Sequence, residues 1–563
     1  MHRFAPALSC TAALTLLAGC ATTAPTTGAT DKSWHVDVPA VAHPGGETPQ
    51  WWYRSAAARA AANGAMGGKA KNVILFLGDG MSLTTVAAAR IFDGQRKGKP
   101  GEENLLSWEK FPATAFSKTY NTNSQVPDSA GTMSAITTGV KTHMGAIGVS
   151  AGDRKDCAQS LRHRLLNWLE LADSAGLSAG IVTTTRVTHA TPAASWAHSP
   201  NRGWENDTDL PAEAVQQGCR DIAQQFLDTR YGRGPQVLMG GGRRNFLPTT
   251  AADPEETGEI GARRDGRNLI EEWKAAHPGG AYVWNAQQFA AAKDAPTLLG
   301  LFNYDHLQYE HDRPKDKGGE PSLAQMTVAA IDVLKKNPNG YVLMVEGGRI
   351  DHASHSGNAY RALSDAVALS EAVQAAADAT SADDTLIIVT ADHSHTMSFV
   401  GYPVRGNPIL GKVRGGSGES TGGGYALDGL GLPYTTINYA NGPGYAGASD
   451  KQPAGPKRFE HSPRSFEPAA GRPDLRSVDT EDPDYMQETL FPTRAETHGG
   501  DDVGIWARGP GSEAIHGTVE ENVIYHFIVQ ATPKLRERLC AAGTCDANGV
   551  PVELPKPADF EKK

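Results

Sequence analysis

The chain lacks the features that mark several protein classes. Basic residues are not in excess: 53 Lys and Arg stand against 63 Asp and Glu, a net charge of −10. A basic nucleic-acid-binding surface is therefore not expected. Glycine (62) and proline (35) are plentiful but follow no fixed period, which excludes collagen-like and solenoid repeats. Cysteine is scarce, six in 563 residues. None of the six stands in the Asp-, Glu-, His- and Thr-rich clusters described below, so a metal held there has only oxygen and nitrogen ligands. The length suits one large α/β domain with insertions.

The N-terminal apolar run, Ala5 to Ala18, is too short to span a bilayer as a mature helix. Preceded by His2 and Arg3, it reads as an export signal over residues 1–19. It ends Leu17-Ala18-Gly19-Cys20, which resembles the lipobox of bacterial lipoproteins. That resemblance implies lipid on Cys20 and an exported, outer-membrane lipoprotein facing the periplasm or cell surface. The alternative is an ordinary cleaved signal and a periplasmic product. Ala21 to Ser33, rich in Thr, Ala and Pro, reads as a flexible tether. Four cysteines then remain. An oxidising compartment favours disulfides, Cys540 with Cys545 across a small loop and Cys157 with Cys219 as the remaining pair. Buried, reduced thiols are the alternative.

An Ala-rich helix from Trp51 to Gly68 completes an N-terminal segment, residues 20–70. Strands and helices alternate from Asn72 to about Thr396, which predicts a doubly wound, mostly parallel sheet with helices on both faces in a core of residues 71–400. Residues 401–484 are rich in Gly and Pro and predict a loop-rich insertion lying over that core. The core resumes over 485–546 with the strand Val503–Trp506 and a last helix, Glu520 to Gln530. The polar tail, 547–563, is expected to fray from Pro551.

Four apolar strands run straight into polar clusters. Val73–Leu77 leads to Gly78-Asp79-Gly80, and Ala179–Val182 leads to Thr184 through His189. Tyr341–Val345 leads to Glu346 through His355, and Leu386–Val389 leads to Asp392-His393-Ser394-His395. In an open α/β sheet the active crevice lies beyond the carboxyl ends of the strands, so these clusters should converge. Asp351 and His355 are four apart and on a helix would share one face, able to grip one ion. Glu346 is placed to serve a different ion. Asp128-Ser129-Ala130-Gly131-Thr132 opens a small-residue helix whose N-terminus could merely be capped, or could bind phosphate and present Ser129 as a nucleophile. His498, before the strand at Val503, is a weak signal alone.

Together these blocks resemble the alkaline phosphatase family, closer to its animal-type members and related bacterial enzymes. The resemblance runs from about Lys71 to Gly517 and takes in Asn72–Met81, Val126–Thr132, Thr183–Val187, Ala197-His198 with Asn201-Arg202, Val345–His352, Thr390–His395 and Ala507–Pro510. It implies hydrolysis of phosphate monoesters, with broad substrate range and phosphate as product, through a phosphoserine at Ser129, with Arg202 holding the phosphoryl group. It implies two zinc ions and one magnesium ion per subunit. Asp351, His355 and His498 would hold one zinc, and Asp79, Asp392 and His393, with Ser129, the other. Asp79, Thr191 and Glu346 would hold magnesium, with His189 beside them. It also implies a homodimer, with 401–484 as a crown-like insertion near the interface. Animal-type relatives carry a further calcium site matched here at Glu255 and Phe302, but Asn303 stands where an acid is required, which argues against calcium. Thr138 replaces the cysteine that pairs with the Cys219 equivalent in some relatives, so a disulfide must use Cys157.

A sulfatase is disfavoured because Ser129 is followed by Ala-Gly-Thr. A phosphodiesterase, and a non-catalytic metal-binding surface lipoprotein, are the remaining alternatives. The second of these would need neither Ser129 nor Arg202. The anchor has a direct test. The wild-type chain should fractionate with the outer membrane and carry acyl chains on its first residue by mass spectrometry, while Cys20→Ala should be soluble. A wild-type protein that is fully soluble and unlipidated would refute it.

Overall fold

Successive residues of a strand point to opposite faces, and the apolar run after Asn72 is buried on both. Val73, Leu75 and Leu77 pack with Tyr53, Met133 and Phe527 on one face. Ile74 and Phe76 pack with Val86, Ile331 and Leu363 on the other. The computed structural model that shows this describes residues 34–41, 46–150, 157–228, 230–415, 421–422, 424–448, 455–469 and 471–562. The export signal, Cys20, the tether to Ser33 and the Gly-rich run 416–420 lie outside the described residues.

The central sheet has ten strands: β1 (Asn72–Gly78), β2 (Ala113–Lys118), β3 (Ser178–Arg186), β4 (Val237–Gly241), β5 (Ala281–Val283), β6 (Leu298–Leu301), β7 (Tyr341–Gly347), β8 (Thr385–Thr390), β9 (Val503–Arg508) and β10 (His516–Glu520). Their order is β10-β2-β9-β8-β1-β7-β3-β4-β6-β5. Every neighbouring pair is parallel except those made by β9, which runs antiparallel to β8 and β2. The helices that frame the site are α1 (Pro49–Ala62), α2 (Leu83–Arg96), α3 (Ser129–Thr138), α4 (Trp168–Ser174), α5 (Leu323–Leu334), α6 (Arg349–His355), α7 (Ala359–Ala379) and α8 (Val523–Ala531). Side chains of α1, α3 and α8 cover one face of β1, and those of α2, α5 and α7 the other. The doubly wound expectation holds.

The four strands singled out by sequence are adjacent, in the order β8-β1-β7-β3. Leu77 pairs with both Glu346 and Thr390, and Glu346 pairs with Thr183. In-register parallel pairing therefore brings Asp79, Thr183, Glu346 and Asp392 to one level at the carboxyl edge.

Several boundaries differ from the sequence reading. β3 continues through Thr183-Thr184-Thr185-Arg186, because β-branched residues suit a strand and Arg186 still pairs with Gly241 after a register shift. The last core helix begins at Val523, and Glu520 closes β10 instead. The tail does not fray: Val552 and Phe560 are buried, and the Arg538 guanidinium lies 4.3 Å over the Phe560 ring. Within the insertion, Ile437–Gly442 pairs with Met397–Phe399 and with Thr489–Pro492, tying it to the core. Disulfides join Cys157 to Cys219 and Cys540 to Cys545.

The helix bearing Ser129 is held at both ends. Asp128 caps its start, accepting from Gly131 N at 3.2 Å. At its end, Gly139 has φ +78°, and a Cβ there would lie 2.8 Å from the Tyr525 ring. Asn522 Nδ2 donates to Gly139 O and to Trp52 O, both at 3.0 Å. Just beyond, the fully buried Lys141 Nζ donates to Lys118 O and Tyr120 O and lies 2.9 Å from Glu520 and 3.7 Å from Glu521. Removing one member of a buried ion pair strands the other, at a cost of about 3–5 kcal/mol. Lys141→Met should therefore lower unfolding stability by that order in chemical denaturation, and an unchanged midpoint would refute the clamp.

Candidate active site

Asp79, Glu346, Asp351 and Asp392 are buried together, none more than 3% exposed. Asp351 Oδ1 lies 3.3 Å from His355 Nε2, its neighbour one helical turn on, and 3.3 Å from His498 Nε2. His393 Nε2 lies 3.3 Å from Asp392 Oδ2, 3.4 Å from Asp79 Oδ1 and 3.1 Å from Ser129 Oγ. Thr191 Oγ1 donates to Asp79 Oδ2 at 3.2 Å. Glu346 Oε2 accepts from Thr183 Oγ1, while its Oε1 is buried with no partner. Asp79 thus lies between two sets of ligand atoms, one rich in nitrogen and one of oxygen.

Ser129 is the first residue of α3 and is buried, its Oγ 3.4 Å from Asp79 Oδ1. Arg202 reaches the same crevice from a loop. Its Nη1 donates to Asp128 Oδ2 at 3.1 Å and its Nη2 to His189 Nε2 at 3.0 Å. A nucleophile, a helix start and a guanidinium fork therefore lie close together, linked by Asp128.

The electrostatics require cations. Burial raises the Asp79 carboxyl well above its usual range, and the charges of Asp392, Asp351 and Glu346 raise it further. Burial lifts Asp392 to about 6 and Glu346 to about 7. Burial also pushes Asp351 up, but His355, His395 and His498 outweigh it and hold this carboxyl low. Burial lowers the pKa of His393 and His355, with neighbouring histidines adding to the effect. The hydrogen bonds agree. Nδ1 of His498 meets Pro127 O, Nδ1 of His355 meets Glu496 O, and Nδ1 of His393 meets Ser394 O. Carbonyls only accept, so each Nδ1 carries a proton and each Nε2 is the nitrogen left to face carboxylate oxygen. His355 and His498 face each other in this way, Nε2 to Nε2 at 3.1 Å. Metal-bound histidines commonly show this outer hydrogen bond from the second ring nitrogen.

The donor chemistry fits two kinds of ion. Asp351, His355 and His498, and separately Asp79 and His393 with Asp351 or Asp392 close by, suit zinc. Asp79, Glu346 and Thr191 form an oxygen set that suits magnesium. His189 lies beside it with Nε2 taken by Arg202. His395 lies in the same cluster, but carboxylates engage both of its nitrogens. Carboxylates of Asp351 and Glu496 face its two nitrogens, so both donate. Burial opposes a charge there, yet Glu496 and Asp351 raise its pKa to about 10.

Residues 70–533 match the family model described as "Alkaline phosphatase". The chain belongs to the alkaline phosphatase family. It is 43% identical over 471 residues to the tissue-nonspecific alkaline phosphatase isozyme of Gallus gallus, covering 82% of this chain and 84% of the relative. It is 42% identical to an alkaline phosphatase of Gadus morhua, covering 82% and 92%. The Thermus thermophilus alkaline phosphatase structure aligns with TM-score 0.58 and 25% identity over 84% of this chain and 96% of that one. The alkaline phosphatase of the Antarctic bacterium TAB5, at 21% identity and TM-score 0.52, shares the fold over 83% and 98%.

All ten sequence-named site residues of this alkaline phosphatase family member meet in the one crevice: Asp79, Ser129, Thr191, Arg202, Glu346, Asp351, His355, Asp392, His393 and His498. The supporting residues were missed. Asp128 reads as a helix cap in sequence but also anchors Arg202. Thr183 bonds Glu346, and Glu496 bonds His395 and, through its carbonyl, His355. The second histidine of Asp392–His395 and the Glu before Thr497-His498 were the available signals. At the calcium-like place, Asn303 Nδ2 donates to Glu320 Oε1 at 2.8 Å, and Glu255 accepts from Arg243 and Gly318 N. A donor thus stands where a cation would need an acceptor.

Because Asp392 and Glu346 ionise only near 6 and 7, protons compete with metal below those values. Divalent-metal affinity of the apoprotein should therefore rise from pH 5.5 to 7.5 and fall as acid is added, measured by competition with a chromophoric chelator. A flat profile would contradict the carboxylate-rich assignment.

Proposed function

We propose that the protein hydrolyses phosphate monoesters to an alcohol and inorganic phosphate through a phosphoserine at Ser129. The observation that carries this reading is the position of Ser129 Oγ, within 3.4 Å of His393 Nε2 and Asp79 Oδ1, at a helix start that Asp128 shares with Arg202. One zinc is assigned to Asp351, His355 and His498, a second to Asp79, Asp392, His393 and Ser129, and magnesium to Asp79, Thr191 and Glu346; calcium is not assigned. Bound there, the zinc pair supplies Lewis acidity for both the attacking and the leaving oxygen of an in-line displacement.

The chain's own groups do the rest. Ser129 Oγ gives its proton to solvent and attacks phosphorus as the bond to the leaving oxygen breaks, and that oxygen takes a proton from solvent to leave as the alcohol. The Arg202 fork holds non-bridging oxygens as charge shifts, and the amide ends of α3 add dipole stabilisation. Water then attacks the phosphoserine from the opposite side and regenerates Ser129 with release of phosphate. A site that grips mainly the phosphoryl group gains little discrimination from the alcohol, so substrate range is broad. The two disulfides support an exported protein in an oxidising compartment. Lipid on Cys20 and a homodimer with the insertion near its interface complete the proposal.

Ser129→Ala removes the covalent route and leaves the other metal ligands and Arg202 in place. Turnover of a phosphomonoester should fall by orders of magnitude, with metal content and phosphate binding retained. Full activity in the purified variant would overturn the assignment. A wild-type enzyme that turned over a phosphodiester faster than a monoester would favour the diesterase alternative.

A further inference from the structure

We propose that Glu170 and His198 form a buried hydrogen-bonded pair that positions Arg202, resting on the reading of Arg202 as the phosphoryl-binding residue. Arg202 needs such support, because it stands on a loop and its side chain is 28% exposed. The loop is laced to a second one. Ile147 and Ser199 exchange two backbone bonds at 2.8 Å, and Arg202 N donates to Gly145 O at 2.9 Å. Gly145 N in turn donates to Asp128 Oδ1 at 2.9 Å, and Asp128 Oδ2 accepts from Arg202 Nη1. The two loops therefore form one cradle around the guanidinium.

The His198 ring bolts the cradle together. Its Nδ1 lies 2.8 Å from Gly148 O and its Nε2 2.8 Å from Glu170 Oε1. A carbonyl and a carboxylate flank the two ring nitrogens, so the ring is fixed in one orientation between them. Gly148 permits the approach: its φ is +58°, and a Cβ there would sit 2.6 Å from Ala197 O and 2.8 Å from His198 Nδ1. Glu170 is itself fixed, since it belongs to α4 and its Oε2 accepts from Asn167 N at 3.0 Å in a capping box. The His198 backbone is held as well, by Gln225 Oε1 at 2.9 Å.

Apolar packing does not do this work. A cavity of about 220 Å³, lined among others by Arg164, Trp196, Arg220 and Tyr231, lies against the pair. With open space on that side, direction comes from the charge-assisted bonds. Both residues act through Arg202 and are positioning residues.

The test is a double-mutant cycle on the metal-loaded enzyme. Glu170→Ala should raise KM and the inhibition constant for inorganic phosphate by roughly tenfold, the scale expected when a binding group is misplaced by a fraction of an ångström. Metal content should not change. Glu170→Gln keeps a hydrogen bond to the ring and should recover most of the loss. In an Arg202→Ala background, Glu170→Ala should cost no more kcat/KM. Unchanged phosphate inhibition in Glu170→Ala beside a crippled Arg202→Ala, or full additivity of the two, would overturn the positioning role alone. Wild-type phosphate inhibition in Arg202→Ala would overturn the reading of Arg202 and this proposal with it.

Discussion

Like charges buried a few ångströms apart repel strongly, and Asp79, Glu346, Asp351 and Asp392 share one dry crevice. Such a cluster persists only if protons or cations neutralise it. The histidines favour cations, because His355, His393 and His498 each engage a carbonyl through Nδ1 and leave Nε2 facing these carboxylates. The site is built for positive ions, and much of the surrounding structure keeps its ligands in place.

That supporting structure is made of directed hydrogen bonds from neighbouring groups. The charged His395 ring spans Asp351 and Glu496, and Glu496 also accepts from Thr396. Gly80, with φ +66°, lets its amide reach Asp392 at 3.1 Å; a Cβ there would fall 2.2 Å from the His395 ring. Each ligand is thereby oriented before an ion arrives, which lowers the reorganisation needed for binding and catalysis.

The crevice has two kinds of wall. Asp79, Glu346, Asp392 and Ser129 stand on or just beyond strand ends and a helix start, where the sheet's register sets their level. Arg202 stands on a loop and owes its place to Asp128, His189 and the cradle that His198 ties together. Rigid elements suit the ions, which tolerate little displacement. The arginine faces the open side, where substrate must come and product must leave.

Much of this was legible in sequence, for local reasons. Apolar strands ending in Gly-Asp-Gly, in Glu-Gly-Gly-Arg-Ile-Asp-His and in Asp-His announce both a parallel sheet and ligands at its carboxyl edge, because strand ends point where the crevice must be. The i, i+4 spacing of Asp351 and His355 is likewise helical geometry written in the chain. Short strands such as Ala281–Val283, the buried tail at Phe560 and the roles of Glu496, Thr183 and Glu170 were not legible. Each depends on partners far along the chain, and a lone Glu or Thr carries no periodicity to mark it. The sequence by itself determined which chemistry the chain could host. Tertiary structure alone decided which carboxylates come together and which residues hold the arginine, because only the folded register brings those atoms within hydrogen-bonding reach.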